Sequence, residues 1–104
     1  IIDMAYVNPS DGVISAEGGE ITYMVGSSHS YKMSSTSDAV SFLRDGVVKD
    51  DKNGYAVVEL NHEVHVSANN TGKERRILIE AQHTSNSEYR ASLLFIQPAK
   101  VVEE

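Results

Sequence analysis

Apolar residues along this chain mostly recur at every second position, in runs separated by turn residues. Ile21, Tyr23 and Val25 alternate with Glu20 and Thr22, a spacing that places successive side chains on opposite faces of a β-strand. No run keeps helical spacing over three turns. The pattern therefore predicts an all-β protein.

The same alternation recurs at intervals of roughly ten residues. The predicted strands are Ile1–Val7, Val13–Ala16, Ile21–Val25, Val40–Leu43, Tyr55–Leu60, Val64–Ala68, Arg76–Gln82 and Arg90–Gln97. Gly26–Ser37 is interpreted as a loop or short irregular strand, anchored by Tyr31 and Met33. Seven or eight short antiparallel strands are typical of an Ig-like β-sandwich. No repeat or linker divides residues 1–104, so we expect a single domain.

Turn residues indicate where the chain changes direction. The break at Asn8–Gly12 would let the first strand bend or change sheets. Asn53-Gly54 is the strongest hairpin signal, because a type I′ turn needs positive φ at both central residues. Pro98 has no N–H to donate and is expected to end the last strand.

Aromatic side chains fall into two groups by position. Three fit the inward pattern and are expected in the core: Tyr23, Phe42 and Phe95. Four lie at strand ends or beside loops, where a ring can face solvent, although a tyrosine in that setting is more often a corner packing residue: Tyr6, Tyr31, Tyr55 and Tyr89. A flat exposed ring is the usual platform for stacking a sugar.

Charge excludes several classes of partner. Nine Lys and Arg against fifteen Asp and Glu give a net charge of −6, which repels nucleic acid and anionic lipid surfaces. No apolar run approaches the ~20 residues that cross a bilayer, and Ile1–Tyr6 lacks the features of a signal peptide. The chain has no Cys, which excludes disulfides and thiolate chemistry.

Motifs for metal binding are incomplete. His62 and His65 flank Glu63, but a zinc-protease helix needs His at i and i+4, and residues three apart on a strand point to opposite faces. Asp51–Gly54 matches part of a calcium loop, yet Lys49 and Leu60 occupy positions that require oxygen ligands. We expect no metal and no cofactor.

Motifs for catalysis are also missing, since the chain contains no nucleophile elbow, phosphate loop or dinucleotide fingerprint. Acid pairs such as Glu17 with Glu20 lie in predicted turns, without an apolar pocket to raise a pKa. We therefore expect no catalytic residues. Asn69-Asn70-Thr71 fits an N-glycosylation pattern but is interpreted as a polar hairpin turn.

Short motifs in the second half of the chain resemble the BACON domain, an Ig-like β-sandwich of exported Bacteroidetes proteins. The motifs are the strand and Asn-containing turn within Val64–Arg76, the strand Ile77–Ile79 and the closing strand Leu93–Gln97. Ser15–Glu20, with its Gly-Gly pair, resembles the family's opening segment, and the similarity spans about residues 13–97. The family commonly carries Trp where this chain has Tyr31 and, by position, Val40 or Phe42.

Asn69, Asn70 and Gly72 are expected to supply left-handed backbone in the turn. Arg75 or Arg76 is expected to donate to exposed carbonyls or to pair with Glu74, and Gln97 to satisfy backbone groups beside Pro98.

The resemblance implies a non-catalytic module of a bacterial protein at the cell surface, in the periplasm or outside the cell. Its signal or lipid anchor would lie outside this chain. Two roles stay open: weak binding of a glycan or glycoprotein, or a spacer without a ligand that positions neighbouring domains. For the first role we expect loop side chains to make the contacts: Tyr31, Tyr55, Tyr89, Asn53 and Asn70.

Overall fold

The computed structural model describes residues 2–48 and 57–100 and contains seven strands in two antiparallel sheets. The strands are β1 (Ile2–Asn8), β2 (Gly19–Ser27), β3 (Tyr31–Ser35), β4 (Val40–Ser41), β5 (Val58–Val66), β6 (Arg75–His83) and β7 (Arg90–Gln97). One sheet has the order β1-β2-β5-β4 and the other the order β3-β6-β7. The described ranges contain no helix, and hence none suited to crossing a membrane. The predicted all-β class is confirmed.

Strand β2 follows the predicted alternation of buried and outward-facing residues. Ile21, Tyr23 and Val25 are buried, while Glu20 is exposed. The last strand runs over Arg90–Gln97 as predicted, and Gly26–Ser37 does contain a short strand, β3. Tyr31 and Met33 anchor it in the core, as expected.

Strand β5 corrects the sequence prediction of two strands, Tyr55–Leu60 and Val64–Ala68. A single strand, Val58–Val66, pairs with β2 without interruption from Gly19↔Val66 to Ser27↔Val58. His62 obscured this continuity, because it is a polar residue at an inward position. The predicted Asn53-Gly54 turn and Tyr55 lie outside the described residues.

The expectation that Phe42 belongs to the core is wrong. Its side chain is 66% exposed, and its φ of 68° is the one positive value among the described non-glycine residues. This left-handed residue directly follows the two-residue strand β4, so the strand alternation on which the expectation rested no longer applies. The ring lies beside His65 with 6.5 Å between centroids, while Leu43 packs against the core.

The segment after β1 changes sheets, which is one of the two outcomes that the turn residues predicted. β1 pairs with β2, but the Ile14 N–H donates to the Ile96 carbonyl at 2.8 Å. The Ile96 N–H donates in turn to the Gly12 carbonyl at 2.9 Å. One stretch of chain is therefore bonded to both sheets.

Side chains from both sheets form one hydrophobic cluster. Tyr23 and Val66 come from the four-stranded sheet, Ile77 and Phe95 from the three-stranded sheet, and all four are fully buried. Tyr6 packs edge-on against Phe95, with 5.1 Å between ring centroids. The strands therefore bury their alternate apolar positions against each other.

Gly18 and Gly72 provide a matched test of backbone crowding. Both have positive φ, at 79° and 80°. A Cβ at Gly18 would overlap the Val66 carbonyl oxygen, whereas a Cβ at Gly72 would meet nothing within 4 Å.

We expect Gly72→Ala to lower the free energy of unfolding by about 1 kcal/mol, the cost of left-handed backbone for a residue with a Cβ. Gly18→Ala carries the same cost plus the overlap, and should lose about 3 kcal/mol. Urea denaturation of both variants measures the difference. Equal losses would show that the Gly18 turn relaxes freely.

Candidate functional site

Tyr31 has no exposed surface on which a ligand could stack. Its ring is fully buried, and its hydroxyl lies 2.6 Å from His62 Nε2. A Cβ at Gly46 would overlap this ring, so glycine leaves the space that the tyrosine occupies. Burial raises the pKa of Tyr31 to about 12. Tyr31 is therefore a packing residue and not a ligand platform, because it occupies an inward position on β3.

Tyr89 and Asn70 are both exposed but lie at opposite ends of the strands. Tyr89 lies in the β6–β7 loop, at the end of the molecule where β2 finishes, and Asn70 lies in the β5–β6 loop. Eight residues of β7 separate the two ends, a span of about 25 Å. One small ligand cannot contact both. Asn53 and Tyr55 lie outside the described residues.

The end that carries Tyr89 contains a partly exposed group of aromatic and titratable side chains. We call Tyr89, His83 and His29 the Tyr89 cluster. The His83 ring centroid is 5.3 Å from that of Tyr89 and 4.7 Å from that of His29. Tyr89 is 50% exposed, whereas His83 is buried. Burial and the neighbouring His29 lower the pKa of His83.

The Tyr89 cluster offers an aromatic ring and imidazole nitrogens as its chemical groups. Ser28 Oγ lies 3.0 Å from His29 Nδ1, but no carboxylate is bonded to this pair among the described residues. The described ranges contain no group of three His, Asp or Glu side chains placed to hold a metal ion. His83 Nε2 has no hydrogen-bond partner in the described part of the chain. The cluster presents one half-exposed ring beside two imidazoles.

A shallow groove of about 280 Å³ lies near the opposite end of the molecule. Its lining is Asn8, Pro9, Val13, Ile14, Ser15, Gly18, Gly19, Glu20 and Ile21. Glu20 provides its carboxylate, and Oε1 of that group is 2.9 Å from His65 Nδ1. With one charged group and no aromatic ring, the groove lacks the stacking surface that sugar binding favours.

A buried polar network fills the end that carries Asn70. Fully buried Asn69 donates from Nδ2 to the carbonyls of Lys73, Gln97 and Pro98, and its Oδ1 accepts from Thr71. Fully buried Gln97 donates from Nε2 to the carbonyls of Ser15 and Ser67, both at 2.9 Å.

Arg75 completes the network. Its Nε donates to Gln97 Oε1 at 2.7 Å and its Nη2 donates to the carbonyls of Ser67 and Ala68. The expected roles of Arg75 and Gln97 are confirmed. Gly72 has positive φ as expected, but Asn69 and Asn70 do not, because the Asn69 side chain holds the turn instead.

The network also explains the glycosylation-like sequence. The Asn69 side chain is fully buried and its amide nitrogen is committed to three carbonyls. This nitrogen is inaccessible in the folded protein. The interpretation as a structural turn is confirmed.

Comparisons with known proteins identify no relative. No family, no curated protein and no solved structure matches this chain. The similarity to the BACON domain therefore rests on the short motifs alone.

Asn69 and Asn70 are adjacent residues of the same type, but Asn69 is buried in the network and Asn70 is exposed. Substituting each in turn therefore tests whether the buried network stabilises the fold. Asn69→Ala leaves several buried backbone groups unpaired and should lower the free energy of unfolding by about 3 kcal/mol. Asn70→Ala removes an exposed side chain and should change it by less than about 0.5 kcal/mol. Thermal or urea unfolding checks both, and a similar small effect for each would contradict the role given to Asn69.

His62 and His83 make stability depend on pH. Burial lowers the pKa of both below the ordinary value of 6.5, so the unfolded chain binds protons more readily. Their stabilisation is complete above about pH 6.5 and is lost as the pH falls toward the folded-state pKa. Denaturation across this range should show the loss.

The double variant His62→Gln with His83→Gln should flatten this part of the pH profile, because glutamine does not titrate. Carboxylates common to both proteins cancel in the comparison. An unchanged slope would show that other groups cause the pH dependence.

Proposed function

We propose that this chain is an Ig-like β-sandwich module that acts as a non-catalytic spacer in a larger exported bacterial protein of the BACON type. The sheet orders support the Ig-like assignment. An Ig constant-type domain has strands A, B, E and D in one sheet and C, F and G in the other. The orders β1-β2-β5-β4 and β3-β6-β7 follow the same sequence of strands.

The placement of the first and last strands carries the spacer proposal. β1 begins at Ile2, which pairs with Ser27, whereas β7 ends at Gln97, which pairs with Arg75. These two pairs lie at opposite ends of the sheets, about 25 Å apart by strand length. Domains joined to the two ends of the chain would be held apart by the folded strands.

Both terminal segments are fastened to the fold, as a spacer requires. At the start of the described chain, Ile2 pairs with Ser27 and Asp3 pairs with Gly26 in the ladder between β1 and β2. Beyond β7, the Lys100 N–H donates to the Asn69 carbonyl at 3.1 Å. Hydrogen bonds at both places resist fraying of the chain at the ends of the module.

A distance measurement between two reporter domains, fused to the two ends of the chain, tests the spacer. We expect one narrow distribution, because the connection points are fixed by the strands. A Gly/Ser linker with the same number of residues is the control, and should give a broad distribution centred near 5–6 Å × √n. A broad distribution for the folded module would reject the proposal.

A carbohydrate-binding role is the second candidate, favoured by the half-exposed ring of Tyr89 beside His83 and His29. Titration of oligosaccharides at millimolar concentration, followed by amide NMR, distinguishes the roles. The spacer alone gives no shifts. Binding at the Tyr89 cluster gives shifts that Tyr89→Ala abolishes and Asn70→Ala leaves intact, because Asn70 lies at the other end.

A further inference from the structure

The outer faces of the two sheets carry opposite charge. Strand register assigns each side chain to the inner or outer side of its sheet. We call the outer face of β1, β2 and β5 the acidic face, with carboxylates Asp3, Glu20, Glu59 and Glu63. We call the outer face of β3, β6 and β7 the basic face, with cations Lys32, Arg76 and Arg90 and one carboxylate, Glu80.

The acidic face carries no Lys or Arg among the described strand residues, and its one basic side chain is His65, whose Nδ1 lies 2.9 Å from Glu20 Oε1. Its four carboxylate residues are exposed, and the outward positions of β1, β2, β4 and β5 include no Lys or Arg. Asp3 and Glu59 lie on either side of Gly26 in one row across the sheet. A Cβ at Gly26 would lie 2.6 Å from Asp3 Oδ1, so this carboxylate lies over the sheet surface.

The centre of the acidic face is apolar. Ala5 pairs with Met24 across β1 and β2, and both are half-buried. The carboxylates surround this pair. An apolar centre with a charged rim is the usual composition of a protein–protein interface.

The basic face also has an apolar centre, but the charged residues around it are mainly cationic. Leu78 pairs with Leu94 at its centre, and Leu94 is 38% exposed. Lys32 and Arg90 lie in one row on either side of Gln82, and Arg76 pairs with Ile96 farther along. All three cationic residues are exposed.

We propose that the acidic face binds the basic face of a second copy of this chain. The apolar centres would meet each other, and the rim carboxylates would meet the rim cations. An overall charge of −6 opposes association of copies in any orientation, so the local attraction between the two faces has to outweigh this repulsion. The proposal concerns lateral contact through the faces and does not depend on the spacer role, which uses the ends.

The size of the faces predicts a weak and open-ended contact. A face of three or four short strands falls in the class below about 1,200 Å² of total buried surface, which is typical of transient complexes. Two different surfaces form the contact, so each added copy leaves one face of each sign free. The assembly would therefore grow with concentration instead of stopping at a dimer.

Sedimentation velocity of the intact chain at up to about 1 mM protein tests the proposal. In about 10 mM salt the mean mass should rise with concentration, and in about 1 M salt it should return to the monomer value, because screening shortens from about 30 Å to about 3 Å. In the same dilution series, amide NMR shifts should concentrate on the two faces.

Two charge-reversal variants make the test specific. Glu59→Lys with Glu63→Lys removes the acidic face, and Arg76→Glu with Arg90→Glu removes the basic face. Each variant alone should stay monomeric in low salt. Each keeps the native face that the other lacks, so an equimolar mixture should associate again.

Matched controls carry the same change of charge away from the faces. Glu74→Lys with Glu88→Lys and Arg44→Glu with Lys73→Glu alter exposed residues in the connections between strands, and both should associate like the native chain. Thermal unfolding verifies that every variant is folded. If a reversal variant does not fold, the Gln variants at the same positions replace it.

Three results would overturn the proposal. The native chain could remain monomeric in low salt, which would show that the two faces do not bind a second copy of this chain. Association could survive both reversals, which would place the contact elsewhere. The mixture could fail to associate although both variants are folded, which would show that the two faces do not bind each other.

Discussion

The buried amides of Gln97 and Asn69 are the constraint on which the assembled fold depends. Each would destabilise the protein if its polar atoms were left without partners. Gln97, on the three-stranded sheet, bonds to the carbonyls of Ser15 and Ser67, and Asn69 bonds to the carbonyls that follow β7. These bonds form only when both sheets and the segment after β1 are in place. The network therefore selects one relative arrangement of the strands, which apolar burial alone does not specify.

His62 is also a partly buried polar residue that needs a hydrogen-bond partner, and the partner it takes is Tyr31. His62 lies on β5 at an inward position, where Tyr31 Oη reaches Nε2 and Tyr23 stacks on the ring with 5.4 Å between centroids. This arrangement commits the Tyr31 ring to packing and removes it from any surface. In the described part of the chain, the exposed surface includes the half-exposed ring of Tyr89 at one end and the two charged faces.

The geometry separates two directions of contact on one small module. Along the strands, Ile2 and Gln97 lie at opposite ends, which is the arrangement that the proposed spacer role uses. Across the strands, the outer faces carry the unbalanced charge and an apolar centre each. The charged residues of the two faces are different residues from Ile2 and Gln97 at the strand ends. A spacer and a lateral contact are therefore compatible.

Local pattern was enough to predict the all-β class and most of the strands, because alternation and turn residues act locally. The alternation predicts Ile21, Tyr23 and Val25 in the core and predicts the last strand, and the turn residues at Asn8–Gly12 predict either a bend or a change of sheet. Tertiary structure decided what local pattern could not: that His62 belongs inside, that Phe42 belongs outside, and that Tyr89 and Asn70 lie at opposite ends. Each of these depends on which distant strands pair, since a polar residue is tolerated in a core only where another strand supplies its hydrogen bond. The opposed charges of the two faces likewise emerge only from register, which joins residues far apart in the chain.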